Sequence, residues 1–169
     1  MAGVAAEAGT SVDTVYKAFG GKAGLVRALW RRGLDGRGAV PAPQRSDLLS
    51  STATDPVRVL RGWGTLSTEV APEVAPILLL VRVAAATDTD MARLFAEAEA
   101  QHRRRMRHNA RRLHQRGWLR PGIGVEKATD ILCAYSSVEL YNLLVLRSGW
   151  PIEHFGQFVG DALVAALLP

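Results

Sequence analysis

The sequence predicts an all-α protein, a small head joined to a larger helical body. Three observations carry that reading. Apolar residues recur at helical spacing along most of the chain. No run of alternating β-branched residues bounded by turn signals appears. Glycines and prolines punctuate the pattern where helices should stop and start. At 169 residues, 48% of them apolar, the chain is long enough to bury a core.

The elements follow in order. Residues 4–8 read as the end of a short helix that Gly9 terminates. Ser11 stands where an N-cap belongs, and 12–19 form the next helix. After Gly20 and Gly21, Leu25, Val26, Leu29 and Arg32 mark a third helix to about residue 34, which closes a head of 1–35. The stretch 36–54, rich in Gly, Pro, Ser and Thr, reads as a linker loop. Asp55 and Pro56 open the body, 55–169, as cap and first helical residue. Val57, Leu60, Trp63, Gly64, Ser67 and Val70 trace one face of that helix, and Pro72 and Pro76 are expected to break it before a short helix over 77–86. The run TDTD at 87–90 caps a long helix ending at Gly117, with Leu94, Phe95, Met106, Ala110 and Leu113 inward.

The segment 125–147 carries apolar residues on more than one face, which calls for neighbours on two sides. Gly149 ends it and Pro151 restarts the chain as a last helix with Ile152, Phe155, Val159, Ala162, Leu163 and Ala166 at helical spacing. The small Gly156, Gly160, Ala162 and Ala166 would let another helix approach closely. The expected use of this pair is an isologous four-helix homodimer contact formed by Leu132, Tyr135, Ser136, Glu139, Leu143, Phe155, Val159, Ala162, Leu163 and Ala166.

Two short helices around a glycine turn, the second polar and aromatic, fit a helix-turn-helix. Thr14, Val15 and Lys17 would project near the N-terminal half of the second helix, where this motif meets base edges, behind the Ser11 cap. Tyr16 offers a hydroxyl to a phosphate oxygen. Lys22 opens the next helix, where the macrodipole disfavours a cation unless an anion such as a DNA phosphate joins it.

The stretch AAEAGTSVDTVYKAFGGKAGLVRAL resembles the helix-turn-helix of the tetracycline-repressor (TetR) family, with Ala5, Ala8, Gly9, Ser11, Thr14, Tyr16, Phe19, Lys22 and Leu25 at the patterned positions. The C-terminal TDILCAYSSVELYNLLVLRSGWPIEHFGQFVGDAL is similar to a regulatory ending found in that family. The resemblance implies a TetR-like fold and a homodimeric, ligand-responsive transcriptional regulator, usually a repressor. Its head binds a palindromic operator in double-stranded DNA, and its body holds a small-molecule effector that releases the DNA by shifting the spacing of the two heads. Family heads have three helices, and this chain begins inside the second. The expectation is therefore a shortened head, missing its first helix, whose inner face (Val4, Ala8, Val15, Phe19) is partly uncovered. Asp13, beside the cap, would also repel a phosphate. The alternative is a dimeric small-molecule-binding or interaction module with impaired DNA binding.

The expected effector is largely apolar, held among Trp63, Leu66, His102, Met106, Asn109, Leu113 and Cys133, with Trp118 and Tyr141 as further candidates. Each of these also reads as ordinary core or interface. Cys133 lies in an apolar run and is expected to be an inert thiol. The net charge is +5, and residues 102–120 hold eight arginines and no acid. On a wheel Arg103, Arg104, Arg107 and Arg111 fall opposite Met106, Ala110 and Leu113, so a solvated face is preferred to a second anion site. His102, His108 and His114 spread around their helix and do not converge on a metal. No catalytic constellation, phosphate loop or metal spacing appears, so neither an enzyme nor a cofactor is expected. No apolar run reaches the roughly 18 residues of a membrane span, and no secretory leader is visible, so a cytoplasmic protein without a membrane partner is the reading.

Overall fold

The computed structural model describes residues 1–169 and is all-helical, with no strand. The head comprises α1 (Ala2–Glu7), α2 (Val12–Phe19) and α3 (Lys22–Asp35). The rest comprises α4 (Ala42–Thr52), α5 (Pro56–Ala84), α6 (Thr89–Gln115), α7 (Val125–Tyr135), α8 (Val138–Tyr141), a π-helical turn (Asn142–Arg147) and α9 (Ile152–Leu167). No helix is long and apolar enough to cross a membrane.

The expected caps are present where the short polar residues stand. Ser11 Oγ accepts from Thr14 N at 3.0 Å, Asp55 Oδ1 from Val57 N at 2.9 Å, and Asp88 Oδ1 from Asp90 N and Met91 N at 3.0 and 3.1 Å. Gly9 takes a positive φ of 60° in the turn between α1 and α2, a conformation that costs a side chain-bearing residue energy.

Three boundaries differ from the sequence expectation. The linker 36–54 contains α4. Its prolines fall at the N-cap and in the first turn, where a missing N–H costs nothing. Its Ser/Thr cluster folds back on the helix: Ser50, Ser51 and Thr52 donate their hydroxyls to the carbonyls of Asp47, Leu48 and Leu48. Ala42, Ser46 and Ser50 form a small-residue buried stripe, so the segment packs tightly without an apolar pattern to announce it. Second, Pro72 and Pro76 do not break α5, which runs unbroken to Ala84. Val74 and Ala75, between them, are buried in two different cores, and packing on both sides outweighs the lost backbone bonds. Third, 125–147 is not one helix. Ser137 begins α8 as a new cap, its Oγ accepting from Leu140 N at 3.2 Å, while Ser136 Oγ donates back to Leu132 O at 2.6 Å.

Two hydrophobic cores result. The larger joins α5, α6, α7, α8 and α9 around Leu60, Leu113, Leu132, Phe155 and Leu167. The smaller gathers Trp30 of α3, Val74 and Val81 of α5, and Met91, Leu94 and Ala98 of α6. Trp30 is 2% exposed and Leu29 is 49% exposed, so the inward residue of α3 is Trp30 rather than the expected Leu29. The third helix is thus as much part of the body as of the head.

Candidate nucleic-acid interface and effector core

The head is thin. In α1 and α2 Ala5 and Val15 are buried, whereas Val4 and Phe19 are exposed. Val15 therefore packs the head and is not available to a base edge, which corrects its expected role. Ser11 and Thr14 are occupied with one another, their hydroxyl oxygens 2.8 Å apart, so both act first as the cap of α2. Tyr16 is 49% exposed and stands over the α2–α3 turn beside Gly21. Lys17 faces solvent and pairs with Asp13 at 2.8 Å, one turn earlier. That pair neutralises the acid expected to repel a phosphate.

Lys22 departs from expectation in a way that matters. Its Nζ lies 3.3 Å from Asp88 Oδ2 at the start of α6, where an intramolecular carboxylate takes the place foreseen for a phosphate. Backbone donation from Met91, with Lys22 added, holds the Asp88 carboxyl below its ordinary range. Further along α3, Arg27 and Arg31 both reach Glu97 of α6, at 2.9 and 3.0 Å. Head and body are thus tied by Trp30 in the core and by three cations along one edge.

Behind the head, the residues expected to receive an effector come together in part. His102 Nε2 is 2.8 Å from Ser136 Oγ, and Ser136 is 3.4 Å from Met106 Sδ, so α6 meets the break between α7 and α8. Burial lowers the His102 pKa, against a smaller raising effect of Glu139, and favours the neutral imidazole. Trp63 and Asn109 are buried, and each leaves one polar atom, Nε1 and Oδ1, without a partner. Leu113 is fully buried and Leu66 packs at the edge of the same core. Tyr141 packs edge to face with Phe155 inside it, with ring centroids 5.5 Å apart. Trp118 instead lies under the Arg116 guanidinium, 4.0 Å from ring centroid to Cζ. Cys133 is half-buried, and desolvation raises its pKa, which keeps the thiol protonated.

The expected dimer surface divides. Leu132, Phe155, Val159 and Leu163 are buried within the chain and do not form an outer face. Gly156 and Gly160 admit α5 at Gly64, not a partner's helix: a Cβ on Gly64 would collide with Gly156 O and come within 2.7 Å of Gly160 N. The small residues were legible, but sequence does not say which helix they admit. Tyr135, Ser136, Ala162 and Ala166 are half-buried. Leu143 is exposed, as is Leu146 three residues on, and Glu139 nearby takes Arg82 of α5 at 2.6 Å. Leu80 and Val83, at the same end of α5, are 73% and 76% exposed.

Three of the eight arginines of the arginine-rich stretch pair with acids. Arg103 pairs with Asp130 at 2.7 Å, Arg105 with Asp47 at 2.9 Å and Arg107 with Glu126 at 2.5 Å. Sequence reasoning missed two residues here, Ser46 and Arg112, whose Oγ and Nε are buried without partners. Ser46 fell in a presumed loop, and Arg112 looked like one more surface arginine. Compared with known families, characterised proteins and solved structures, the chain matches none, and its functional reading rests on these residues alone.

Proposed function

We propose that the chain is a cytoplasmic, homodimeric, ligand-responsive DNA-binding regulator of the tetracycline-repressor type, acting as a repressor. The observation that carries the reading is the joint between head and body. A capped helix-turn-helix presents Tyr16 and Lys17 outward, and the helix that follows is anchored in the body by Trp30 and by the Lys22, Arg27 and Arg31 pairs to α6. A shift of α6, which also carries His102, Met106 and Asn109, would be transmitted to the position of the head. The exposed Leu143 and Leu146 support a two-fold contact that sets two heads at a fixed spacing.

Selection of duplexes from a random-sequence pool by the full chain tests this. Enrichment of a two-fold symmetric sequence, lost in Tyr16→Ala together with Lys17→Ala, is the expected result. A second reading, a dimeric ligand-binding module without DNA binding, draws support from the uncovered Val4 and Phe19, which leave the head little core. No enrichment, with only salt-sensitive non-specific binding, would favour that second reading.

A further inference from the structure

The C-terminal end of α5 is apolar on two faces. Val74, Ile77, Leu78 and Val81 supply its inward face, against the smaller core. Its outward face carries Leu80 and Val83, the two most exposed large apolar residues of the chain. Pro76 and Leu79, one turn before them, lengthen that stripe; Pro76 is exposed, and Leu79 is half-buried and belongs to neither core. A helix apolar on both faces is made to be covered on both, and here one face has no neighbour. Beside it lies α8, where Glu139 takes Arg82 at 2.6 Å. Leu143, one turn beyond Glu139, and Leu146 continue the exposed apolar surface on the π-helical turn. The ion pair thus joins two exposed apolar stretches, one on each side of it.

Two features of this surface say what covers it. It is its own complement: one cation and one anion lie between apolar stretches, so a second copy turned about a two-fold axis sets apolar residues on apolar residues and opposite charges on each other. It also lies at the end of α5 that carries the head, since Val81 shares its core with Trp30 of α3 and the turn after α5 leads to Asp88, which holds Lys22. A two-fold contact there sets two heads near the axis. We propose that the C-terminal end of α5 and the π-helical turn form the dimer interface, with a second copy of this chain as the occupant. Arg82 meets the partner's Glu139 as well as its own, and the two pairs close into a ring of alternating charge on the axis. The apolar residues supply affinity and the ring fixes orientation. This rests on the homodimeric reading above and moves the contact from α9, whose Phe155, Val159 and Leu163 are spent on the chain's own core, to α5.

Sedimentation velocity of the full chain over a range of concentrations tests this. Leu80→Glu with Val83→Glu disturbs neither core, so circular dichroism should report unchanged helix content while the dimer weakens by at least about tenfold. Arg82→Glu alone sets like charges together across the axis, as does Glu139→Arg alone, and each should weaken the dimer by about tenfold or more. Mixed in equal amounts, these two reversed variants should assemble as a heterodimer with an affinity close to that of the wild type, because the ring again alternates in sign. A folding defect cannot produce that recovery. A dimer that survives Leu80→Glu with Val83→Glu, or reversed variants that do not recover on mixing, overturns the interface. A wild type that is monomeric at every concentration also overturns it and leaves the patch to a different partner. If Leu80→Glu with Val83→Glu remains a dimer and still enriches a two-fold symmetric duplex, the interface falls and the regulator stands. If those changes break a wild-type dimer that enriches no duplex, the regulator falls and the interface stands.

Discussion

Asp88 does two jobs with its two oxygens: Oδ1 caps α6 through Asp90 N and Met91 N, and Oδ2 holds Lys22 at the start of α3. The first helical turn of the head's last helix and the first turn of the body's long helix therefore share one carboxylate. Any phosphate that takes Lys22 must draw it away from that carboxylate.

Asp88→Asn separates the two jobs, because asparagine caps as well as aspartate but cannot hold a lysine as an ion pair. The variant should keep its thermal stability and bind duplex DNA more tightly. Its log K against log salt should steepen by about 1, the signature of one additional phosphate contact. Anisotropy titrations over a range of salt concentrations measure this, and an unchanged slope would show that Lys22 does not meet DNA.

The close crossing of α5 and α9 has no room for a side chain at its glycines. Gly64→Ala puts a methyl group against the α9 backbone at Gly156 and Gly160, not against a movable side chain. We expect a loss of about 1–3 kcal/mol or more in urea unfolding. Gly3→Ala, which meets nothing within 4 Å, is the control and should cost no stability.

Trp30→Ala should cost about 3–5 kcal/mol, because it empties the smaller core of its largest side chain. The consequence for binding exceeds the stability loss. With Trp30 gone, α3 is held to the body by the half-buried Ala23, Val26 and Leu34 and by its ion pairs to α6. DNA affinity should therefore fall at temperatures where circular dichroism still reports a folded body.

The buried, neutral His102 gives stability a pH dependence of known sign. Its folded pKa lies below the ordinary value near 6.5, so the unfolded chain binds the proton first. The stability tied to the neutral ring is complete above about pH 6.5 and is lost as the pH falls from there toward the folded pKa. His102→Gln, which can still bond Ser136, should flatten Tm between pH 7 and 5. A wild-type Tm that does not change across that window would show the ring is not desolvated in solution.

Leu143→Glu with Leu146→Glu should convert the protein to a monomer in sedimentation velocity, since both side chains are 50% exposed on the π-helical turn. Leu48→Glu, equally apolar and exposed on α4, should leave assembly unchanged.

Much of this was legible in the chain before its structure. Short polar residues ahead of apolar periodicity marked Ser11, Asp55 and Asp88 as caps, because capping is a local bargain between a side chain and the next turn. Non-local facts were not legible. Whether Gly156 and Gly160 admit a partner's helix or α5 depends on the path of the chain, not on spacing. Whether Pro72 and Pro76 break a helix depends on the packing of Val74 and Ala75. Lys22 looked like an anion site because its counter-charge lies 66 positions away in sequence. Ser46 and Arg112 escaped notice because the polarity that marks them becomes unusual only once they are buried.

The unbroken α5 has one last consequence. Its residues enter both cores, Leu60 and Ala75 one and Val74 and Val81 the other, so neither core can melt and leave the other intact. Heat should meet a single cooperative unit from α3 to α9, with α1 and α2 fraying beforehand. Such a molecule reports a disturbance at one end as a change in the tension of a rod that both ends grip.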